Sequence, residues 1–206
     1  AVTTSGFSLS GTDAGNYSLT QPSYLAANVT AKALTISGVS AANKVYDSTT
    51  AATLSGGVLS SGATGASDNL FYSTDTLTLN TTTAGVFNNK NVGTGKAVTT
   101  SGFSLSGTDA GNYSLSQPSY LAANVTAKAL AVSATSNSAN KVYDSSRTAT
   151  ATLTTTDLIT NDLLTINYSA ASFDDKNVGT NKTVSVGGIN ISGADSSNYS
   201  LQNNTT

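Results

Sequence analysis

The sequence predicts an all-β protein built from tandem sandwich domains, and three observations carry that prediction. Short runs alternate apolar with hydroxyl residues between Gly, Asn and Asp, as in Leu77-Thr78-Leu79, Val98-Thr99-Thr100 continuing to Phe103-Ser104-Leu105, and Val184-Ser185-Val186. A period of two over such lengths is that of a half-buried strand. Residues 1–34 recur at 97–130 with one change, Thr20 to Ser116, an interval of 96 residues. That is close to the roughly 100 residues of one sandwich and far longer than a solenoid turn. Finally, the decapeptide Ser106 to Leu115 occurs three times, unchanged at Ser10 to Leu19 and with three changes at Ser192 to Leu201.

Each decapeptide sets an Asp four places before a Tyr, as Asp13 and Tyr17, Asp109 and Tyr113, Asp195 and Tyr199. The order matches the tyrosine corner of an immunoglobulin-like sandwich, in which the ring lies on the core and the hydroxyl bonds to backbone a few residues upstream. The position that carries a disulfide Cys in antibodies is Leu19, Leu115 or Leu201 here. The fold expected is therefore tandem Ig-like β-sandwiches arranged end to end as an elongated rod.

Composition narrows the function. The formal net charge is -2, only 10% of residues are charged, and there is no Glu, His, Cys, Met or Trp. An acidic chain lacks the basic patch that a nucleic acid partner needs. Without Cys there is no disulfide, thiolate nucleophile or soft metal site, and without His the commonest general base is missing. No catalytic residue, cofactor or metal is expected. No apolar run approaches the roughly 20 residues that cross a bilayer, so direct membrane insertion is not expected either. Ala1 does not open a signal peptide, so any export signal or anchor is expected outside this stretch.

Taken in order, residues 1–32 read as the C-terminal part of a first repeat, with strands around Val2 to Leu9, Tyr17 to Thr20 and Tyr24 to Thr30. Residues 33–128 read as one complete repeat. Ala33 to Gly38 is its expected first strand, and no Gly/Ser-rich spacer precedes it, which predicts a stiff junction. After Asn43-Lys44-Val45-Tyr46-Asp47 comes a strand at Thr50 to Leu54, then a Gly-rich stretch, Gly56 to Ala66, read as a loop. Leu70 to Leu79 and Ala84 to Phe87 read as strands, and Asn89 to Lys96 as a turn. Residues 129–206 read as a third repeat. There Asp144 to Asp162 spans 18 positions where Asp47 to Asp75 spans 28, and the counterpart of the closing strand Tyr120 to Thr126 is missing. A fragment of a longer array accounts for this; so does strand complementation between chains, which would build a filament.

Three motifs recur in one order: Lys-Val-Tyr-Asp near the start of a unit, then Lys-Asn-Val-Gly-Thr, then Ser-Gly-x-Asp-x-x-Asn-Tyr-Ser-Leu. Together they resemble the YDG-type repeat domains of large secreted bacterial adhesins of the haemagglutinin class. The name-giving triplet departs from the pattern, because Ser48 and Ser145 stand where the family has Gly. If that position takes positive φ, Ser is strained there. The resemblance implies a β-sandwich in the stalk of an exported bacterial surface or matrix protein, with neighbouring repeats as its partners and no catalytic residues.

Several side chains are weighed as sites. Lys44, Tyr46 and Asp47, with Lys141, Tyr143 and Asp144, are read as structural, the Tyr in the core and the Asp capping a turn with Ser48 and Thr49. Lys44 could also form an isopeptide bond with Asn124, with Asp47 as catalyst. Asp174, Asp175 and Asp162 could hold calcium, but their counterparts Asn88, Asn89 and Asp75 do not repeat the charge. The pairs Lys90 with Lys96 and Lys176 with Lys182 are placed on solvated loop ends. An exposed Phe71 and Tyr72 would favour weak glycan or host-protein binding multiplied by copy number. The function expected is that of structural stalk or spacer repeats of a cell-surface or extracellular-matrix adhesin; the alternatives are such multivalent binding and a self-assembling filament.

Overall fold

Hydroxyl-rich alternation produces short strands, and the computed structural model describes residues 6–22, 25–61, 69–135 and 140–206. The protein is all-β. Apart from strands, regular structure among the described residues is limited to one-turn 3-10 segments at Ala14–Asn16, Ala110–Asn112 and Ser196–Asn198. Twelve strands belong to the middle of the chain: β1 (Lys32–Thr35), β2 (Ser37–Ala41), β3 (Lys44–Val45), β4 (Ala51–Val58), β5 (Ser60–Ser61), β6 (Leu70–Phe71), β7 (Thr78–Asn80), β8 (Ala84–Phe87), β9 (Gly93–Thr99), β10 (Ser104–Ser106), β11 (Tyr113–Ser116) and β12 (Leu121–Thr126). Eight follow: β13 (Lys128–Leu130), β14 (Ser133–Thr135), β15 (Thr152–Thr154), β16 (Thr165–Asn167), β17 (Ala170–Phe173), β18 (Val184–Gly187), β19 (Asn190–Ser192) and β20 (Tyr199–Leu201).

The main sheet has six strands in the order β2-β4-β8-β9-β12-β3. Its pairs are antiparallel except the last, where β12 runs parallel to β3 with Val125 opposite Lys44. Alternate residues of these strands, Ala52, Leu54, Phe87, Val98, Ala123 and Val125, are buried. β1 lies parallel to β11, which sets Leu34 against Leu115. In the last part of the chain β13 repeats this pairing with β20, and β14-β15, β16-β19 and β17-β18 form antiparallel pairs. Leu130, Val132, Val186 and Ile189 fill the core there, and it is continuous with the core of the middle unit.

Four expectations need correction. The strand expected at Ala33 to Gly38 is two strands, because β1 pairs parallel to β11 while β2 pairs antiparallel to β4, and one straight strand cannot serve both. The loop expected from Gly56 is strand as far as Val58 and again at Ser60–Ser61; residues 62–68 lie outside the described residues. Here glycine serves close approach: a Cβ on Gly56 would stand 2.1 Å from the Gly38 carbonyl oxygen of the neighbouring strand. The strand expected over Leu70 to Leu79 is broken by a turn in which Asp75 N donates to Tyr72 O. In residues 6–22 and 25–30 the expected strands do not form, and Phe7, Leu9, Tyr17, Leu19 and Val29 are exposed. Alternation yields a strand only where a partner sheet covers its apolar face.

Candidate functional site

Each Lys-Val-Tyr-Asp motif folds locally into a capped turn. The Asp47 carboxylate accepts from Thr49 N at 2.9 Å, Thr49 Oγ1 at 2.8 Å and Lys44 Nζ at 2.7 Å. Asp144 repeats this with Ser146 N and Lys141 Nζ, both at 2.9 Å. The hydrogen bond from Lys141 leads the causes that lower the Asp144 carboxyl to about 2. At Asp47 burial pulls upward, yet Lys44 and Thr49 outweigh it and hold the carboxyl below its ordinary value. Closing the turn drives Ser48 and Ser145 to φ of +64° and +68°, the left-handed region in which Gly is the unstrained residue.

The Asp-Tyr motif folds differently from the expected tyrosine corner. Tyr113 Oη accepts from Tyr72 N at 3.1 Å and donates to Asp75 Oδ2 at 2.7 Å, so its backbone partner is 41 residues upstream rather than a few. Tyr199 Oη likewise accepts from Ile159 N at 3.0 Å and donates to Asp162 Oδ2 at 2.7 Å. Asp109 and Asp195 accept from Thr76 N and Leu163 N, fixing the other side of the same loop. The motif therefore staples a distant loop, which the spacing from Asp to Tyr could not reveal. Tyr17 in the first copy has no such loop among the described residues and is 73% exposed, and Asp13 makes no side-chain cap.

The two motifs meet. Tyr46, 2% exposed, packs edge-on against Tyr199 with ring centroids 5.6 Å apart. Ser48 Oγ donates to Asp162 Oδ1 at 3.0 Å, and Lys90 Nζ bridges Asp162 at 3.1 Å and Asp195 at 3.0 Å. Asn198, buried, accepts from Val92 N at 3.0 Å and donates to Asn91 Oδ1. The middle unit thus contributes Tyr46, Ser48 and Lys90 to Val92, and the following unit contributes Asp162, Asp195, Asn198 and Tyr199. Between the units only Ala127 separates β12 from β13.

The charges are tuned by this contact. Burial pulls the Asp162 carboxyl upward, but hydrogen bonds from Tyr199, Lys90 and Ser48 hold it below its ordinary value. Asp195 is lowered by the Leu163 backbone N–H and then by Lys90. Lys90 is raised, first by Asp195. Burial and the neighbouring Asp162 push the Tyr199 phenol up to about 12. The Tyr46 hydroxyl lies near Lys90 and Asp162 and adds to their field, but it makes no hydrogen bond of good geometry among the described residues.

The lysine placement needs correction. Lys90 is in the joint, Lys96 is buried with its ammonium on Asn89 Oδ1, and Lys182 is paired with Asp174 and Asp175. The Lys96 and Lys182 stems lie beside Gly93 and Gly179 while their ammonium groups reach an amide or carboxylates. Only Lys176 is a solvated loop end.

The calcium candidates are not brought together: Asp174 and Asp175 face Lys182, while Asp162 faces Tyr199 and Lys90. Among the described residues no group of three His, Cys, Asp or Glu is placed to hold a metal. Lys44 Nζ is occupied by Asp47 and Thr49, and the Asn124 side chain accepts from Gly95 N, so the isopeptide candidates face different partners. Phe71 is half-buried, and Tyr72, 40% exposed, carries the Lys32 ammonium 4.7 Å from its ring centroid. The joint residues Asn91, Val92 and Asn198 were not singled out from sequence, and Ser48 was read only as part of its turn. The available signal was that all of them lie in motifs that repeat without strand alternation.

Fold and site define an all-β tandem-repeat protein whose successive units are locked through a buried, charged joint. The YDG domain model matches residues 30–120 and 126–206, and the chain belongs to the YDG domain family. Comparison with curated proteins and with solved structures finds no match. No helix of the described residues is long and apolar enough to cross a membrane.

Proposed function

We propose that these repeats are the structural stalk of a bacterial cell-surface or extracellular-matrix adhesin: Ig-like sandwiches set end to end as a rod that holds a distal binding region away from its anchor. The observation that carries the reading is the joint. Tyr46, Lys90 and Asn91 of one unit are engaged by Tyr199, Asp162, Asp195 and Asn198 of the next, with a single residue between the bordering strands. A spacer transmits force and sets distance only if its units resist bending, and a short connection with a packed joint does that. Two clefts, along Thr82 to Val86 with Thr99 to Gly102 and along Thr35 to Val39 with Ser116 to Leu121, are lined by no charged side chain, in keeping with a mechanical role.

Small-angle scattering on the 206-residue monomer tests the reading. A compact chain of this length has a radius of gyration of about 17 Å. A value well above that, insensitive to salt, is the expected result; a value near 17 Å would remove the stalk.

A further inference from the structure

Tyr120 combines two properties that the fold does not need. Its backbone lies at φ +62°, in the left-handed region, and its side chain is 100% exposed. Gly or Asn holds that conformation with little strain, whereas a bulky aromatic residue there is an outlier. A fully exposed ring buries no apolar surface that could offset the strain. Strained backbone of this kind gathers at binding sites, where the surrounding structure holds it in place.

Both flanks of Tyr120 are held. β11 ends at Ser116, opposite Thr35, and β12 begins at Leu121, opposite Val98. Between them the Gln117 amide clasps Phe103, accepting from its backbone N–H at 3.2 Å and donating to its carbonyl at 2.8 Å. Pro118 fixes one more φ. The ring is therefore carried on a short, tied loop, which lowers the ordering cost of binding.

Beside the ring lies a cleft. Ser119 and Leu121, on either side of Tyr120, line it, Ile36 and Pro118 add apolar wall, and Thr35 and Ser116 add exposed hydroxyls. Its volume is about 240 Å³, below the roughly 300–1,000 Å³ of sites for drug-sized ligands, which suits a single ring. None of the residues that line it is charged.

We infer that this cleft binds one pyranose unit of a neutral saccharide, with the Tyr120 ring as its stacking platform. A pyranose has an apolar C–H face and a rim of hydroxyls. The face lies on the aromatic ring, and the rim exchanges hydrogen bonds with the hydroxyls of Thr35, Ser116 and Ser119. An uncharged lining offers no partner to a carboxylate or sulfate, which leaves out acidic sugars. Tyr120, and not the pair Phe71 and Tyr72, is then the aromatic contact. Pro118-Ser119-Tyr120 recurs in the sequence as Pro22-Ser23-Tyr24, and a weak site that comes with the repeat gains strength from copy number. The inference goes beyond the stalk reading and does not rest on it: it gives the unit an adhesive surface of its own.

NMR titration of the isotope-labelled full chain with lactose, cellotetraose, chitotetraose and mannotetraose tests it, beside Tyr120→Phe and Tyr120→Gly. At least one of the four saccharides should shift the amides of Thr35 to Val39 and Ser116 to Leu121 selectively. Tyr120→Phe keeps the ring and should bind within about twofold of the parent chain. Tyr120→Gly removes ring and strain together, so it should bind about tenfold more weakly while melting at no lower temperature. No shift from any of the four saccharides overturns the inference. So does binding that survives undiminished in Tyr120→Gly, or shifts produced only by the uncharged peptide acetyl-tetraproline amide. Binding is read amide by amide at any radius of gyration, so this inference and the stalk reading fail separately.

Discussion

Ser48 and Ser145 hold left-handed backbone at φ +64° and +68°, a conformation that costs an L side chain about 1–2 kcal/mol. Only one of them gains something in return. Ser48 Oγ donates to the buried Asp162, whereas Ser145 faces solvent with a long contact to Tyr143 Oη. Ser145→Gly should therefore raise stability by about 1 kcal/mol in urea denaturation. Ser48→Gly should gain less or lose, because it leaves a carboxylate short of one donor. Asp162 offers a sharper contrast. It holds Tyr199, Ser48 and Lys90 at once, while its counterpart Asp75 holds Tyr113. Asp162→Asn should cost about 2–4 kcal/mol, since it leaves Lys90 with Asp195 alone, and Asp75→Asn should cost measurably less.

Among the elements, the loop that each Asp-Tyr motif staples depends on one glycine. Gly107 and Gly193 sit at φ +114° and +115°, and an added Cβ would stand 2.3 Å from Thr76 O and 2.4 Å from Leu163 O. Gly193→Ala forces the loop off its carboxylate partner and should cost about 2–4 kcal/mol by thermal denaturation. Gly11, in the same decapeptide, has φ +117° but meets nothing within 4 Å. Gly11→Ala carries the backbone strain alone and should cost clearly less than Gly193→Ala, and equal losses at the two sites would refute the stapling role. The strands were legible where apolar and hydroxyl residues alternate, as at Val184–Gly187, or where a short apolar run stands between polar residues, as at Ala84–Phe87. They were not legible at Ser60–Ser61 or Ser37–Ala41, where Ser and Gly carry no burial signal and pairing comes from neighbouring backbone.

At the scale of the molecule, the joint couples the units through titrating groups. Asp162 and Asp195 have lowered pKa values, so the stability they contribute is present above the ordinary carboxylate value of 3.8 and is lost as pH falls through their folded values. Tyr199, pushed up to about 12, and Lys90, also raised, work on the other limb. Their contribution is present below the unfolded values of 10.0 and 10.5 and is lost as pH rises through the folded ones. Melting temperature against pH should show a plateau between about pH 5 and 9 with a fall on each side. Lys90→Met should flatten both limbs, because the carboxylates and the amine lose each other. An unchanged profile in that variant would show that the joint is not electrostatically coupled.

Identical sequences mark the boundary between what the chain dictates and what its packing decides. The turn of Asp47 and Thr49 recurs as that of Asp144 and Ser146 with the same hydrogen bonds, and the 3-10 turn of the decapeptide recurs in all three copies. These need partners two to five residues away, and the sequence supplies them by itself. Strands and burial do not follow from sequence in this way. Tyr17 is 73% exposed and Tyr113 7%, and Val29 is 99% exposed and Val125 1%, although each pair sits in the same local sequence. Tyr46, which lies against the ring of Tyr199, is 2% exposed, and Tyr143 is 53% exposed. Burying an apolar face and pairing a strand edge both require a second surface, which the residues on one strand cannot provide. The repeats, the alternation and the turns were therefore in the sequence, whereas the loop that each Tyr staples, the ion pairs of Lys90 and the joint itself were settled only when distant segments packed together.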